Sequence, residues 1–346
     1  MRLLSILLVV VFLSGCAELQ YYGHAISGQF DVLSKRRPIS EVLEDPATKT
    51  DVVEKLKAVE RMHAFAINDL SLPDSDSFRS YSDVGRDYVL WNIFATPELS
   101  LATKQWCYPF LGCLDYRSYF EKAYAESIAT ELEKEGWDVH IASSPAYSTR
   151  GFFADPVYSP MLRFDDLTLA GIVFHELAHE QVYFKNDSEL NESFAVAVQN
   201  EGIKRWLEHE QQPQYYADYI VEQKRDKQFI SVLLEYRERL QVVYESSKGD
   251  TEKRANKKNI LAKLRNKYLE LKKQWGGYEG YDHWFNKPLN NALLAPVSTY
   301  NGAVPLFAAL LKQCDNNLEL FYSEVGKIAE MPEAQRRVFI NNLLNQ

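Results

Sequence analysis

Asp165-Asp166-Leu167-Thr168-Leu169-Ala170-Gly171-Ile172-Val173-Phe174-His175-Glu176-Leu177-Ala178-His179 is the stretch that decides how the chain is read. Its apolar residues predict a mostly buried helix, with Asp165-Asp166 placed to cap the start. His175 and His179 are four residues apart, so they stand one turn apart on one face with side chains pointing the same way. Two imidazoles in that arrangement can reach one metal ion. Glu176 points into the same cleft, where it can take a proton from water polarised by the ion.

The bulk properties set the frame. The chain has 346 residues, 46% hydrophobic and 25% charged, which gives one or two globular domains with a full-sized core. A net charge of −9 offers no basic footprint and argues against a nucleic-acid partner. Met1-Arg2 is followed by an apolar run from Leu3 to Leu13, too short to span a bilayer. Residues 1–15 therefore read as a signal peptide. Leu13-Ser14-Gly15-Cys16 resembles a bacterial lipobox, which implies that Cys16 is lipidated and tethers residues 16–346 to a membrane. Ala17 stands where aspartate would signal retention at the inner membrane, so the resemblance implies a periplasm-facing protein on the outer membrane. In that oxidising compartment Cys107 and Cys113 are expected to form a disulfide across Tyr108-Pro109-Phe110-Leu111-Gly112; the alternative is two buried thiols. Cys314 receives no role.

Around the motif the chain reads as α+β, helix-dominated, with a small sheet. Val52 to Leu70 carries helical spacing and Pro73 ends it. Tyr88 to Ala95 and Asp138 to Ala142 read as strands, Ser148 to Phe153 as a further one, and Ser118 to Glu135 as a helix. Ala17 to Asp51 is a mixed segment lying against the body. A helix beginning near Ser188 follows the motif helix. Tyr215 to Tyr244 and Lys257 to Trp275 read as two long charged helices that turn at Ser246 to Asp250 and form a hairpin inserted at about 215–276. Leu289 to the C-terminus is again mostly helical.

A catalytic zinc needs three protein ligands and an open position. Glu192, 13 residues beyond His179, is the preferred third ligand, and Glu189 is the rival three residues earlier. Asn191-Glu192-Ser193-Phe194-Ala195 resembles the third-ligand motif of gluzincin-type zinc metallopeptidases, which implies a zincin-like site of His175, His179 and Glu192 with Glu176 as base. Two acids at a helix start would also suit its dipole without any metal. Tyr183, His209, His283 and Tyr300 are candidates to stabilise an oxyanion, and spacing does not choose among them. Tyr147 to Phe153 is placed to serve as an edge strand for a substrate backbone, or as a plain connection.

Over nearly the whole mature chain the sequence resembles the predicted zinc aminopeptidases of Gram-negative bacteria, a family of lipoproteins. The resemblance rests on Tyr21-Tyr22, Gly28-Gln29, Arg37-Pro38-Ile39, Cys107 to Cys113, Tyr147-Ser148-Thr149, Asp155-Pro156, His175 to His179, Asn191 to Ala195, Asn290-Asn291-Ala292, Tyr300 and Val304-Pro305. It implies one zinc ion, a peptide substrate and hydrolysis from the N-terminal end. Arg150-Gly151 and Gln199 do not match the family pattern with certainty, so residue preference stays open. An envelope endopeptidase is the near alternative. A non-catalytic lipoprotein whose helical arm binds a partner is the alternative from another class; the retained Glu176 speaks against it, since a structural metal site needs no base.

Overall fold

The computed structural model describes residues 2–108, 112–147, 154–185, 187–299 and 303–344. The chain starts with helix α1 (Arg2–Ser34), followed by β1 (Arg36–Pro38), α2 (Ile39–Glu44), α3 (Thr50–Asn68), β2 (Ser80–Ser82) and β3 (Leu90–Pro97). Next come β4 (Trp106–Tyr108), β5 (Gly112–Leu114), β6 (Arg117–Tyr119), α4 (Lys122–Lys134), β7 (Trp137–Ser144) and β8 (Val157–Tyr158). The rest is helical: α5 (Asp166–Gln181), α6 (Ser188–His209), α7 (Tyr216–Glu245), α8 (Asp250–Gln274), α9 (Asp282–Phe285), α10 (Asn291–Leu294), α11 (Val304–Gln313), α12 (Leu318–Glu330) and α13 (Glu333–Leu344). The fold is mostly helical α+β.

Where one small sheet was expected, three form among the described residues, ordered β1-β2-β8, β6-β3-β7 and β4-β5. In the second, β3 pairs antiparallel with β7 over its full length, Leu90 opposite Ser144 through Pro97 opposite Trp137. On its other edge β3 pairs antiparallel with β6, which takes Ser118 and Tyr119 out of the helix expected from Ser118. Arg117 and Tyr119 are buried while Ser118 between them is half-buried, a period-two pattern too short to compete on paper with the helical periodicity downstream.

The segment from Ala17, expected to be mixed, continues α1 as far as Ser34. It is held by specific contacts. Glu18 accepts both arms of Arg117, at 2.9 and 2.6 Å, and the same guanidinium lies 3.5 Å from the centre of the Tyr21 ring. Gly28 rests its backbone against the Phe120 ring, where a Cβ would sit 2.3 Å from a ring carbon. The side chain of Cys16 lies outside the described residues, as does the strand expected at Ser148 to Phe153. Among the described residues no helix is long and apolar enough to cross a membrane.

The largest core gathers α3, α5, α6, α11 and α12 around Met62, Phe174, Phe194, Phe307 and Phe321, each buried. A separate core lies between α7 and α8, where Phe229, Leu233, Tyr236 and Leu240 meet Leu261, Leu264, Tyr268 and Leu271. Helix α8 begins at Asp250 rather than Lys257. The apolar stripe starts only at Ile260, but Asp250 and Glu252 suit the positive helix start and extend it by two turns. Gly276 and Gly277 end the arm with positive φ, 69° and 90°, which glycine adopts without strain. Cys107 and Cys113 face each other across β4 and β5 with their sulfurs 1.95 Å apart, as a disulfide; Cys314 is a buried free thiol.

Candidate metal centre

Helix α5 is built to hold its polar edge still. Asp165 caps it by accepting from the Thr168 N–H at 2.9 Å and its hydroxyl at 2.8 Å. Lys55 from α3 pairs with Asp166 at 2.6 Å, placing an acid at the positive helix end. Leu169, Ala170, Val173, Phe174, Leu177 and Ala178 are buried, so the helix cannot rotate without exposing them. Helix α6 packs closely because glycines stand at the crossing. A Cβ on Gly202 would lie 2.8 Å from the Phe174 ring and 2.9 Å from a Leu70 methyl; one on Gly171 would lie 3.2 Å from the Gln199 amide.

The loop between the two helices is fixed by Asn191, which is buried. Its Oδ1 accepts from the Phe184 N–H at 2.8 Å, and its Nδ2 donates to the carbonyls of Phe184 and Asp187 at 2.8 and 2.9 Å. Arg336 from α13 adds a hydrogen-bonded ion pair to Asp187 at 3.2 Å. Glu192 is the next residue, and its direction is set by that knot.

The result is a three-cornered cluster. His175 Nε2 and His179 Nε2 are 3.2 Å apart, and Glu192 Oε2 lies 3.4 Å from the first and 3.8 Å from the second. The three residues form a set able to hold a metal ion, their ligand atoms all within 4.8 Å of one another. Zinc bonds of about 2.0–2.2 Å in a tetrahedral site put neighbouring ligand atoms ~3.3 Å apart, close to these separations. The side chains are 17%, 11% and 15% exposed, so the cluster is sunk in the protein without being sealed. A fully closed site would need a fourth protein ligand, and among the described residues the cluster has three.

The electrostatics suit a cation. Burial pulls the His175 ring down, but the hydrogen bond to Glu192, the charges of Glu176 and Glu192 and a hydrogen bond to Gln199 outweigh it and raise its pKa. Without a metal the His175 ring therefore holds a proton more tightly than a free imidazole does, and a cation binding there competes with it. Glu176 follows His175 on α5, and its charge reaches Tyr158 of β8. Burial first, then Tyr147, Asp155 and Glu176, push the Tyr158 phenol far above its usual value, so it keeps its proton. Its ring stacks on Tyr147 at 5.3 Å, and Tyr147 donates to Gln29 of α1 at 2.6 Å.

The structure thus brings together His175, His179 and Glu192 with Glu176 alongside. Glu189, the rival ligand, is exposed on the first turn of α6 and is outside the cluster. Tyr183 is 54% exposed. His209 packs between Phe65 and Trp206, at 5.0 and 5.8 Å between ring centres. His283 is exposed and its Nδ1 meets the Gly280 carbonyl at 2.9 Å. Tyr300 lies outside the described residues. Two neighbours of the site were not legible as such. Tyr158 sits on a two-residue strand with no periodicity, and Gln199 is tied to Glu192 only by the two-turn spacing on α6 that turns it towards His175.

No curated protein and no solved structure is significantly similar to this chain. A family model described as "Putative aminopeptidase" matches residues 20–340, nearly all of the chain, and with the paired histidines and their acid already in place the chain belongs to that family.

Proposed function

We propose that the chain is a zinc-dependent aminopeptidase, tethered through a lipid on Cys16 to the outer membrane and facing the periplasm. The observation that carries the reading is the triangle of His175 Nε2, His179 Nε2 and Glu192 Oε2, with sides of 3.2 to 3.8 Å and a carboxylate base on the same helix. Two neutral imidazoles and one carboxylate form a donor set suited to zinc, leaving one positive charge on the site. A zinc ion held there would polarise the scissile carbonyl and bring the pKa of attacking water to about 7. Glu176 takes the proton from that water at its carboxylate and hands it to the departing amine. A hydrogen bond to Gln199 supports the His175 ring, as groups around metal-binding histidines commonly do.

Removal from the N-terminal end is favoured by the family to which the chain belongs. Turnover of paired peptides, free and N-acetylated, tests that choice. An aminopeptidase cleaves the free member and spares the acetylated one. Equal cleavage of both, at internal bonds, would make the protein an endopeptidase instead.

A further inference from the structure

Helix α1 carries apolar side chains on two faces, and the fold uses one of them. Tyr21 packs on Tyr119 and Tyr108, with ring centres 5.5 and 6.0 Å away, Gly28 rests on Phe120, and Val32 is buried. Hydrogen bonds fasten the helix to the body: Glu18 accepts from Arg117 at 2.6 Å, Gln29 accepts from Tyr147 at 2.6 Å, and the Val32 carbonyl accepts from the Ser82 hydroxyl at 2.8 Å. The other face belongs to Leu19, Ile26 and Phe30, which are 74%, 69% and 72% exposed. Steps of seven and four put them in one stripe, about 16 Å long. At about 100° per residue that stripe lies roughly 150° round the helix from the centre of Tyr21, Ala25, Gly28 and Val32. From Tyr22 on one flank to Ser27 on the other, an arc of about 140°, no residue between Leu19 and Ser34 is charged.

A helix face kept in water normally carries ions, and 25% of this chain is charged. Large apolar side chains standing out in one line mark a surface that something covers. Three of them offer roughly 500 Å² at most, short of the ~800 Å² per partner of a stable protein interface. A membrane that already holds the chain needs far less, because docking is then intramolecular. The start of α1 is where that hold is expected. Cys16 is three residues before Leu19, about 5 Å of helix rise, and the apolar run Leu3 to Leu13 lies upstream on the same helix. An uncharged apolar stripe beginning there suits the boundary between headgroups and acyl chains.

We propose that the face of α1 carrying Leu19, Ile26 and Phe30 lies in the headgroup–acyl boundary of the membrane that holds the chain, with α1 along the surface and the body on its far side. The placement rests on the reading of Cys16 as lipid-bearing. The test takes the native protein, isolated from membranes and reconstituted in vesicles of phosphatidylcholine with brominated acyl chains. Tryptophan replaces exposed Phe30 in one variant and exposed Ser247, in the turn between α7 and α8, in another. The added emission is the difference from the parent. In Phe30→Trp it should be mostly lost to the bromines, as befits a side chain ~5–10 Å into the boundary. The loss should persist from about 50 to about 500 mM salt, because no ion holds the face. In Ser247→Trp the added emission should survive. Adding Leu19→Ser/Ile26→Ser to Phe30→Trp should restore most of what was lost. Equal quenching at both positions, or none in Phe30→Trp, overturns the proposal. Unquenched but blue-shifted emission in a protein that sediments as a dimer would give the face to a second copy instead. The mass of the N-terminal peptide reports on the anchor separately. Acylated Cys16 with unquenched Phe30→Trp keeps the anchor and sinks the face; quenching without an acyl group does the reverse.

Discussion

Replacing Asn191 with alanine is the sharpest way to ask whether the metal centre is set by its supporting loop. The side chain is buried and makes three hydrogen bonds to the backbone, at 2.8, 2.8 and 2.9 Å, closing the turn from Phe184 to Asp187. Each such bond contributes roughly 1 kcal/mol net, and leaving the buried Phe184 N–H without its partner adds desolvation of ~1–3 kcal/mol, while the Phe184 carbonyl keeps the Asp187 N–H at 3.3 Å. Some of this is recovered if water enters, so the expected loss is about 3 kcal/mol, seen as a lower urea midpoint with an unchanged slope. Glu192 follows directly, and loosening its support should weaken zinc binding by about 10-fold or more in a chelator competition. Asn191→Asp separates geometry from volume. It keeps the acceptor for Phe184 N–H but turns an oxygen towards two carbonyls, so at neutral pH it should do no better than alanine. Stability within 0.5 kcal/mol of the parent, together with unchanged zinc affinity, would refute the idea that this knot aims Glu192.

Two glycine substitutions should differ in sign. At Gly202 a Cβ meets the buried Phe174 ring at 2.8 Å and Leu70 at 2.9 Å, so Gly202→Ala overpacks by ~1–3 kcal/mol and its helix-propensity gain of about 1 kcal/mol does not compensate. At Gly326 on α12 nothing lies within 4 Å, so Gly326→Ala should stabilise by up to ~1 kcal/mol in the same melts; a gain at both positions would contradict the tight α5–α6 crossing. His140 supplies a pH test. Burial, then the Lys287 charge, pull its ring down to about 4. Because the folded pKa is depressed below the unfolded value near 6.5, its contribution is complete above that pH and drains away as the pH falls towards 4. Between pH 7 and 4.5 the parent should lose about 2 kcal/mol more than His140→Gln, and parallel urea curves for the two proteins would rule the effect out.

Much of the site was written locally. The helix of α5, its cap at Asp165 and the direction of both histidines follow from a pattern within fifteen residues, where period and capping agree. The pairing of Glu192 with them needed the turn between α5 and α6, and there the sequence offered two acids with no physical reason, short of the resemblance, to prefer one. The structure supplies the reason in Asn191, whose bonds close the turn so that Glu192, and not exposed Glu189, joins the histidines. Strand β6 and the opening of α8 were misread for opposite causes. β6 owes its existence to β3, a partner more than twenty residues away, whereas the first turns of α8 are too polar to show a stripe. Asn291 belongs to the same lesson. It carries part of the family resemblance, yet its amide binds the carbonyls of Pro97, Glu98 and Ser100 and its Oδ1 accepts from Tyr244, tying the helical arm to the sheet. A resemblance cannot say which of its residues hold the frame and which do chemistry; distances can.

The central claim is that His175, His179 and Glu192 hold one zinc ion for Glu176 to work beside. The most direct measurement is zinc content and peptide turnover, on one preparation each, of the parent and Glu176→Gln. The account predicts about one zinc per chain in both, with turnover in the variant down by about 10²–10⁴-fold. A parent that cleaves peptides with no bound metal, or a variant that turns over at the parent's rate, would contradict it.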